Sequence, residues 1–438
     1  MIDIETLRKT PQATAAALAR RPGAVLDLQA FAQLDSDRKA AQQTFESIQR
    51  ERNAIAEAIG RAKRDGSDPG ALFESGEAAK QNVDKARLQL ELAERAFRDF
   101  AMRIPNLPAA SVPDGKGEAD NLLLRQVGEP PALGFAPKTH DELGALHQGL
   151  DFEAAALLSG SRFVVASGPL ARLHRALIQF MLDTHVDEGG YTEVQTPYLV
   201  KASALEGTGQ LPKFEEDLFK LERDGLYLIP TAEVPVTNLL ANMDIREAQL
   251  PLAFVCHTPC FRREAGSAGR DVKGLIRQHQ FEKVELVRAC SPDQSAAQME
   301  ILLAHAESIL AKLGLPYRAM ALCAGDLGFS AESTVDLEVW LPGQNAWREI
   351  SSVSAFGEFQ ARRMGAKFKT ADGKRRHLAT LNGSGLAAGR ALVAVMENFQ
   401  TPSGAIVVPE PLRPYMRGLA LIEPPAPPAP QPRRAPGA

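Results

Sequence analysis

The second half of this 438-residue chain holds three groups of side chains whose types and spacing suit phosphate and ammonium binding. The first is Phe261-Arg262-Arg263-Glu264, followed by Gly266, Gly269 and Gly274. Arg262 can grip a phosphate through its planar donor fork, and Glu264 can accept from an amine or hydroxyl. Arginines alternating with carboxylates beside a glycine-rich loop suit a nucleotide whose phosphates are bent back. An ordinary charged surface hairpin fits the same residues. The second group is Thr231 and Glu233, which could hold an ammonium group, although Thr231 could equally cap the helix that follows. The third joins Glu338 and Glu349, hard oxygen ligands suited to magnesium near a triphosphate, with Arg390. Solvent-facing strand carboxylates are the plainer reading of the two glutamates.

The elements that would carry these residues follow from periodicity. Phe254 to Glu264 and the alternating run Phe281 to Val287 read as two antiparallel strands joined by a basic loop. Thr231 and Glu233 stand where a strand gives way to a turn and a helix. Asp336 to Trp340 and Arg348 to Ser354 alternate as strands. The small residues from Thr380 to Gly389 precede an apolar helix at 391–396, so backbone could approach a ligand closely and Arg390 would lie in the first turns. A helix at about 169–186 presents Leu170, Leu173, Leu177, Phe180 and Met181 on one face, with Pro169 in its first turn, and a strand-like run follows at 190–197. Residues 291–314 read as a surface helix.

The first hundred residues have another character. After a short helical lead-in, Phe45, Ile48, Ile55 and Ile59 form one stripe. Beyond the turn signal Asp65 to Gly70, Val83, Ala86, Leu90, Ala93, Phe97, Phe100 and Ile104 form a second. Its alternating three- and four-residue spacing is that of a coiled-coil seam, so the two helices make an antiparallel hairpin. Arg61, Lys63 and Arg64 gather near the turn, with Arg50 and Arg52 below. They fit either a solvated face or an arm that grips RNA phosphates by shape. Pro and Gly cluster at 105–135, which reads as a linker, and the Pro/Ala-rich tail at 423–438 reads as extended chain.

The totals exclude little else. A net charge of −4 gives no global basic field, so nucleic-acid contact must come from local patches. No long apolar run suggests a membrane span, and the start MIDIETLRKTPQ lacks the apolar centre of a signal peptide. Cys256, Cys260, Cys290 and Cys323 lack ligand-spaced partners and read as buried thiols of a reducing cytoplasm.

The block TPCFRREAGSAGRD…LIRQHQFEKVE closely resembles motif 2 of class II aminoacyl-tRNA synthetases, in the version found in seryl-tRNA synthetases. The helix and strand ending at Pro197 resemble motif 1, which builds the dimer interface in this class. TLNGSGLAAGR resembles motif 3, and RNAIAEAIG resembles a block of the family's N-terminal arm, with Glu57 at a usually basic position. The resemblance spans 1 to about 422. It implies an α+β fold: a class II antiparallel sheet flanked by helices, preceded by a coiled-coil hairpin. The implied domains are a tRNA-binding arm at 1–104, the linker at 105–135 and a catalytic domain at 136–422.

The implied chemistry is two-step. Serine's carboxylate attacks the α-phosphate of ATP, and the seryl group then moves to the 3′ end of tRNA(Ser), and by the same analogy of tRNA(Sec). The resemblance assigns Arg262 to the α-phosphate, Arg390 to the γ-phosphate, Phe281 to the adenine face and Glu264 to the purine amine. Arg263, Ile350 and Ser351 join the ATP site, and Glu349 with Ser352 would hold Mg2+ beside the triphosphate. Thr231, Ala232 and Glu233 would meet serine's ammonium, with Glu285 and Ser384 reading its hydroxyl. The basic residues of the arm would meet tRNA. A cytoplasmic homodimer is implied.

Four positions depart from the family, which commonly has Lys, Tyr, Asn and His where this chain has Ser333, Val335, Ala355 and Ala379. They raise a specialised, inhibitor-tolerant copy as an alternative. A carrier-protein amino acid ligase would share the catalytic fold but lack the arm. A non-catalytic paralogue would be expected to have lost Arg262, Glu264 or Arg390.

Overall fold

The structure is a computed structural model describing residues 1–265 and 274–426. Gly266 and Gly269 of the glycine-rich loop, and the tail from 427, lie outside the described residues. Contacts divide the chain into two compact units: 1–19 with 23–105, and 20–22 with the chain from Asn106 onward.

The first unit is built on two long helices, α1 (Leu28–Arg64) and α2 (Gly70–Met102), packed antiparallel through the two stripes. Val83, Ala86 and Leu90 are buried in the seam, and Phe31 meets Phe97 at 6.0 Å between ring centroids. Asp27 starts α1 by accepting from the Ala30 amide at 2.8 Å. Two short helices, Ile4–Lys9 and Pro11–Ala19, precede it, and Leu7 of the first is fully buried. Arg8 donates to Asp35 of α1 at 2.9 Å, and this bond, with Lys39 beside it, holds the Asp35 carboxyl well below the usual range.

An eight-stranded sheet among the described residues organises the second unit. In chain order its strands are β1 (Leu122–Val127), β2 (Thr192–Glu193), β3 (Leu252–Phe261), β4 (Gln280–Cys290), β5 (Tyr317–Ala321), β6 (Ser333–Leu341), β7 (Ala346–Ala355) and β8 (Ala379–Ala387). They lie side by side as β1-β5-β6-β7-β8-β4-β3-β2. All neighbours run antiparallel except the short β2, which is parallel to β3. The helices α3 (Gly168–Asp187), α4 (Ser295–Leu313) and α5 (Ala388–Asn398) pack on this sheet and supply much of its apolar core. The five residues expected on one face of the first of these, Leu170 to Met181, are all buried.

One expectation changes. The 105–135 stretch is not merely a linker, because it supplies the outer strand β1, paired with β5. Asn106 is also buried, its amide donating to the carbonyls of Ser330 and Phe356 at 2.9 Å each. Proline and glycine report turns and helix breaks, and an ordered strap needs those as much as a loose tether does. The small residues before Arg390 form the buried strand β8. A Cβ at Gly383 would meet Val353 Cγ2 at 2.9 Å, and one at Gly385 would meet His185 Nε2 at 2.5 Å. Glycine there permits close packing of strand on strand and of strand on helix.

Candidate active site

Strand alternation assembles the site. Phe281, Lys283 and Glu285 of β4 lie two residues apart, so all three line one cavity of about 500 Å³ on the sheet. Asn382 and Ser384 of the neighbouring β8 line it too, Glu285 and Ser384 being direct cross-strand partners. From β7 come Glu349, Ile350, Ser352 and Ser354. A bulge opposite Leu337 and Glu338 inserts Ile350 between two paired positions and brings Glu349 onto the cavity side.

Cations and carboxylates divide the cavity. Arg262, just past the end of β3, is fixed through its backbone, which donates to His279 O at 2.9 Å. Its Nε donates to Pro230 O at 3.2 Å, and its guanidinium lies 5.2 Å from the Phe281 ring centroid. Arg390, in the first turn of α5, donates to Glu349 O at 2.6 Å and pairs with the Glu349 carboxylate at 3.3 Å. That guanidinium holds the Glu349 carboxyl below its ordinary range. Glu264 pairs with Arg277 at 3.3 Å.

The other group is nearly dry. Glu233 is 8% exposed and Glu285 1%. Thr231 Oγ1 accepts from the Glu233 amide at 3.2 Å, just ahead of the short helix Glu233–Asn238 whose N-cap position is Ala232, and also lines the cavity. Gln360 donates to Glu233 at 2.6 Å. Glu285 is ion-paired with Lys283 and accepts from Asn382 at 2.9 Å. Burial, reinforced by the Glu285 charge, raises the Glu233 carboxyl to about 7.

The description "tRNA synthetase class II core domain (G, H, P, S and T)" matches residues 216–399, and "Seryl-tRNA synthetase N-terminal domain" matches residues 1–108. The serine--tRNA ligase of Polynucleobacter asymbioticus is 54% identical, covering 97% of this chain and 100% of that protein. That of Laribacter hongkongensis is 51% identical with the same coverage. The chain belongs to the seryl-tRNA synthetase family. The seryl-tRNA synthetase of Pyrococcus horikoshii, solved complexed with ATP, superposes with a TM-score of 0.86 at 34% identity, covering 97% of this chain and 100% of the other.

Most residues singled out from the sequence of this seryl-tRNA synthetase family member meet in the one cavity: Thr231, Glu233, Arg262, Glu264, Phe281, Glu285, Glu349, Ile350, Ser352, Ser384 and Arg390. Four do not line it, among them Glu338, which pairs with Arg318 instead. Ala232 is wholly buried among Val236, Cys256 and Val287. Arg263 has its guanidinium over the Phe219 ring, 5.5 Å from the centroid. Ser351 turns its hydroxyl into the sheet, donating to Ser384 O at 2.6 Å. For the last two, neighbours on an extended backbone face opposite sides.

Lys283, Asn382 and Gln360 were not singled out from the sequence. The first two carry a signal, since each lies two residues from an assigned strand position, Glu285 or Ser384. Gln360 carries none, because the tertiary fold alone brings it to Glu233.

The four departures stand apart from this cavity. Ser333, Val335 and Ala355 line a separate space of about 380 Å³ with residues of the 109–113 strap. Ala379 is buried on β8 opposite Cys290. The basic residues near the turn of the arm belong to the other unit: Arg61, Lys63 and Arg64 occupy the last turn of α1, where they also complement the helix dipole. All four cysteines are buried and none forms a disulfide. No helix among the described residues is long and apolar enough to cross a membrane.

Proposed function

We propose that this chain activates L-serine with ATP and transfers the seryl group to the 3′ end of tRNA(Ser). The observation that carries the reading is the division of one cavity between two buried carboxylates and two arginines. Thr231 and ionised Glu233 take the serine ammonium, while Glu285, oriented by Lys283 and Asn382, and Ser384 take the hydroxyl. A site that hydrogen-bonds a hydroxyl with buried polar groups rejects an analogue lacking it, because those groups are then left unpaired.

In the first step a serine carboxylate oxygen forms a bond to the α-phosphorus, and the bond from that phosphorus to the pyrophosphate oxygen breaks. No enzyme nucleophile is needed. Positioning and charge stabilisation supply the rate, with Arg262 facing the charge that builds on the α-phosphate and Arg390 the γ-phosphate. Phe281 offers a face to adenine and Glu264 an acceptor to its amine. In the second step the carboxyl carbon passes from the phosphate to a terminal ribose hydroxyl, releasing AMP.

A divalent cation fits the donor set. Glu349 is held ionised by Arg390, Ser352 adds a hydroxyl, and the buried Asp336 Oδ1 beside Ser352 has no hydrogen-bond partner. Glu349 and Ser352 would hold Mg2+. Bound there, the ion would neutralise triphosphate charge.

The reading extends to Arg50, Arg52, Arg61, Lys63 and Arg64 as phosphate contacts for the tRNA, to tRNA(Sec) as a second acceptor, and to a cytoplasmic homodimer. Supporting the dimer, the outer strand β1 exposes Leu122, Leu123, Leu124 and Val127, an apolar edge that a second copy would cover. The test is ATP–pyrophosphate exchange with a panel of amino acids. Serine should support exchange well above alanine and threonine. Equal rates with alanine would contradict the assignment of Glu285 and Ser384.

A further inference from the structure

Away from the cavity, α5 makes a second set of cross-links. Glu397, two turns after Arg390 on the same helix, is completely buried. One oxygen accepts from the His140 backbone amide at 3.0 Å and from His140 Nδ1 at 2.8 Å. The other accepts from the Gly343 amide at 2.9 Å. The far side of the His140 ring is also used, since Nε2 accepts from the Leu275 amide at 3.0 Å. An Nε2 that accepts must be unprotonated, so the proton sits on Nδ1 and points at Glu397.

These bonds parallel those of Arg390, which reaches Glu349 O on β7 and Ile276 O. Gly343 lies in the turn that leads into β7, and Leu275 precedes Ile276. One helix therefore ties the same two segments twice, seven residues apart. Gly274 permits the approach, because a Cβ there would lie 2.0 Å from His140 Nε2, and its φ of +75° disfavours other residues. Leu275, Ile276, Arg277 and Gln278 then form a wall of the cavity.

We infer that His140 is a positioning residue for the ATP half of the site: held in one tautomer by Glu397, it fixes the wall at 275–278 against Arg390. The inference rests on the proposed ATP site. His140 does not line the cavity, and Thr231, Glu233, Glu285 and Ser384 are held by other segments. Loss of the clamp should therefore weaken ATP and spare serine.

The test compares full-length wild type, His140→Ala and Gly274→Ala, the last leaving both His140 and Glu397 unsubstituted. ATP binding is read by calorimetry, and the KM values for ATP and serine by pyrophosphate exchange. Each variant should weaken ATP by about tenfold, the effect of losing one hydrogen bond to a charge-supported partner, with the serine KM unchanged. Equal rises in both KM values, or unchanged ATP binding in a folded Gly274→Ala protein, would overturn it. If wild type binds ATP but shows no serine-dependent exchange, the functional reading fails while calorimetry still decides on the clamp.

Discussion

Glu233 and Glu285 share the buried carboxylate end of the cavity, but only Glu285 has a cation of its own. Lys283 pairs with Glu285, whereas Glu233 is met by the neutral amide of Gln360. The Glu233 proton is therefore retained up to about 7, chiefly because burial disfavours the charge and secondarily because Glu285 repels it.

A carboxylate must be ionised to hold an ammonium, so the KM for serine should fall as pH rises through about 7, and Glu233→Gln should remove that dependence. Stability moves oppositely. The folded state binds more protons than the unfolded one between the usual carboxylate range and about 7, so stability drops across that window as pH rises. Thermal melts of wild type and Glu233→Gln at both ends of the window should converge at low pH and favour the variant at high pH.

Arg262→Ala should reduce pyrophosphate exchange by roughly 100-fold or more, the cost of removing a donor aimed at transition-state charge. Its circular dichroism spectrum should be unchanged, since the side chain makes one backbone hydrogen bond and one ring contact. Near-normal exchange would remove Arg262 from the α-phosphate.

Lys283→Ala should damage the fold as well as the chemistry. It leaves the Glu285 carboxylate buried without its cation, and breaking such a pair costs about 3–5 kcal/mol. Urea denaturation measures the loss. Lys283→Ala/Glu285→Gln should recover part of the stability and none of the serine activation.

For the arm, Arg61→Ala/Lys63→Ala/Arg64→Ala should raise the KM for tRNA and lower the salt slope of binding by about 1 for each phosphate no longer neutralised. Pyrophosphate exchange should not change. An unaltered salt slope would leave these residues as complements to the α1 dipole.

How far these placements could be read in the sequence depended on periodicity. The hairpin of β3 and β4 was legible because Phe281, Lys283 and Glu285 alternate with buried Val284 and Leu286. The same alternation excludes Ser351 from the face that carries Ser352, and Arg263 from that of Arg262. Gln360 and His140 lay beyond reach because each meets its partner across more than a hundred residues of chain. The strand at 122–127 was hidden by prolines and glycines on either side of it, although Leu122-Leu123-Leu124 is itself an apolar run.

The most direct measurement pairs serine-dependent ATP–pyrophosphate exchange with charging of tRNA(Ser) by the same preparation. Both activities are expected, with Arg262→Ala losing the first and Glu233→Gln keeping it only at a raised serine KM. Exchange without charging would contradict the transfer step and point to another acceptor. Absence of exchange in wild type would contradict the central claim that this cavity activates serine.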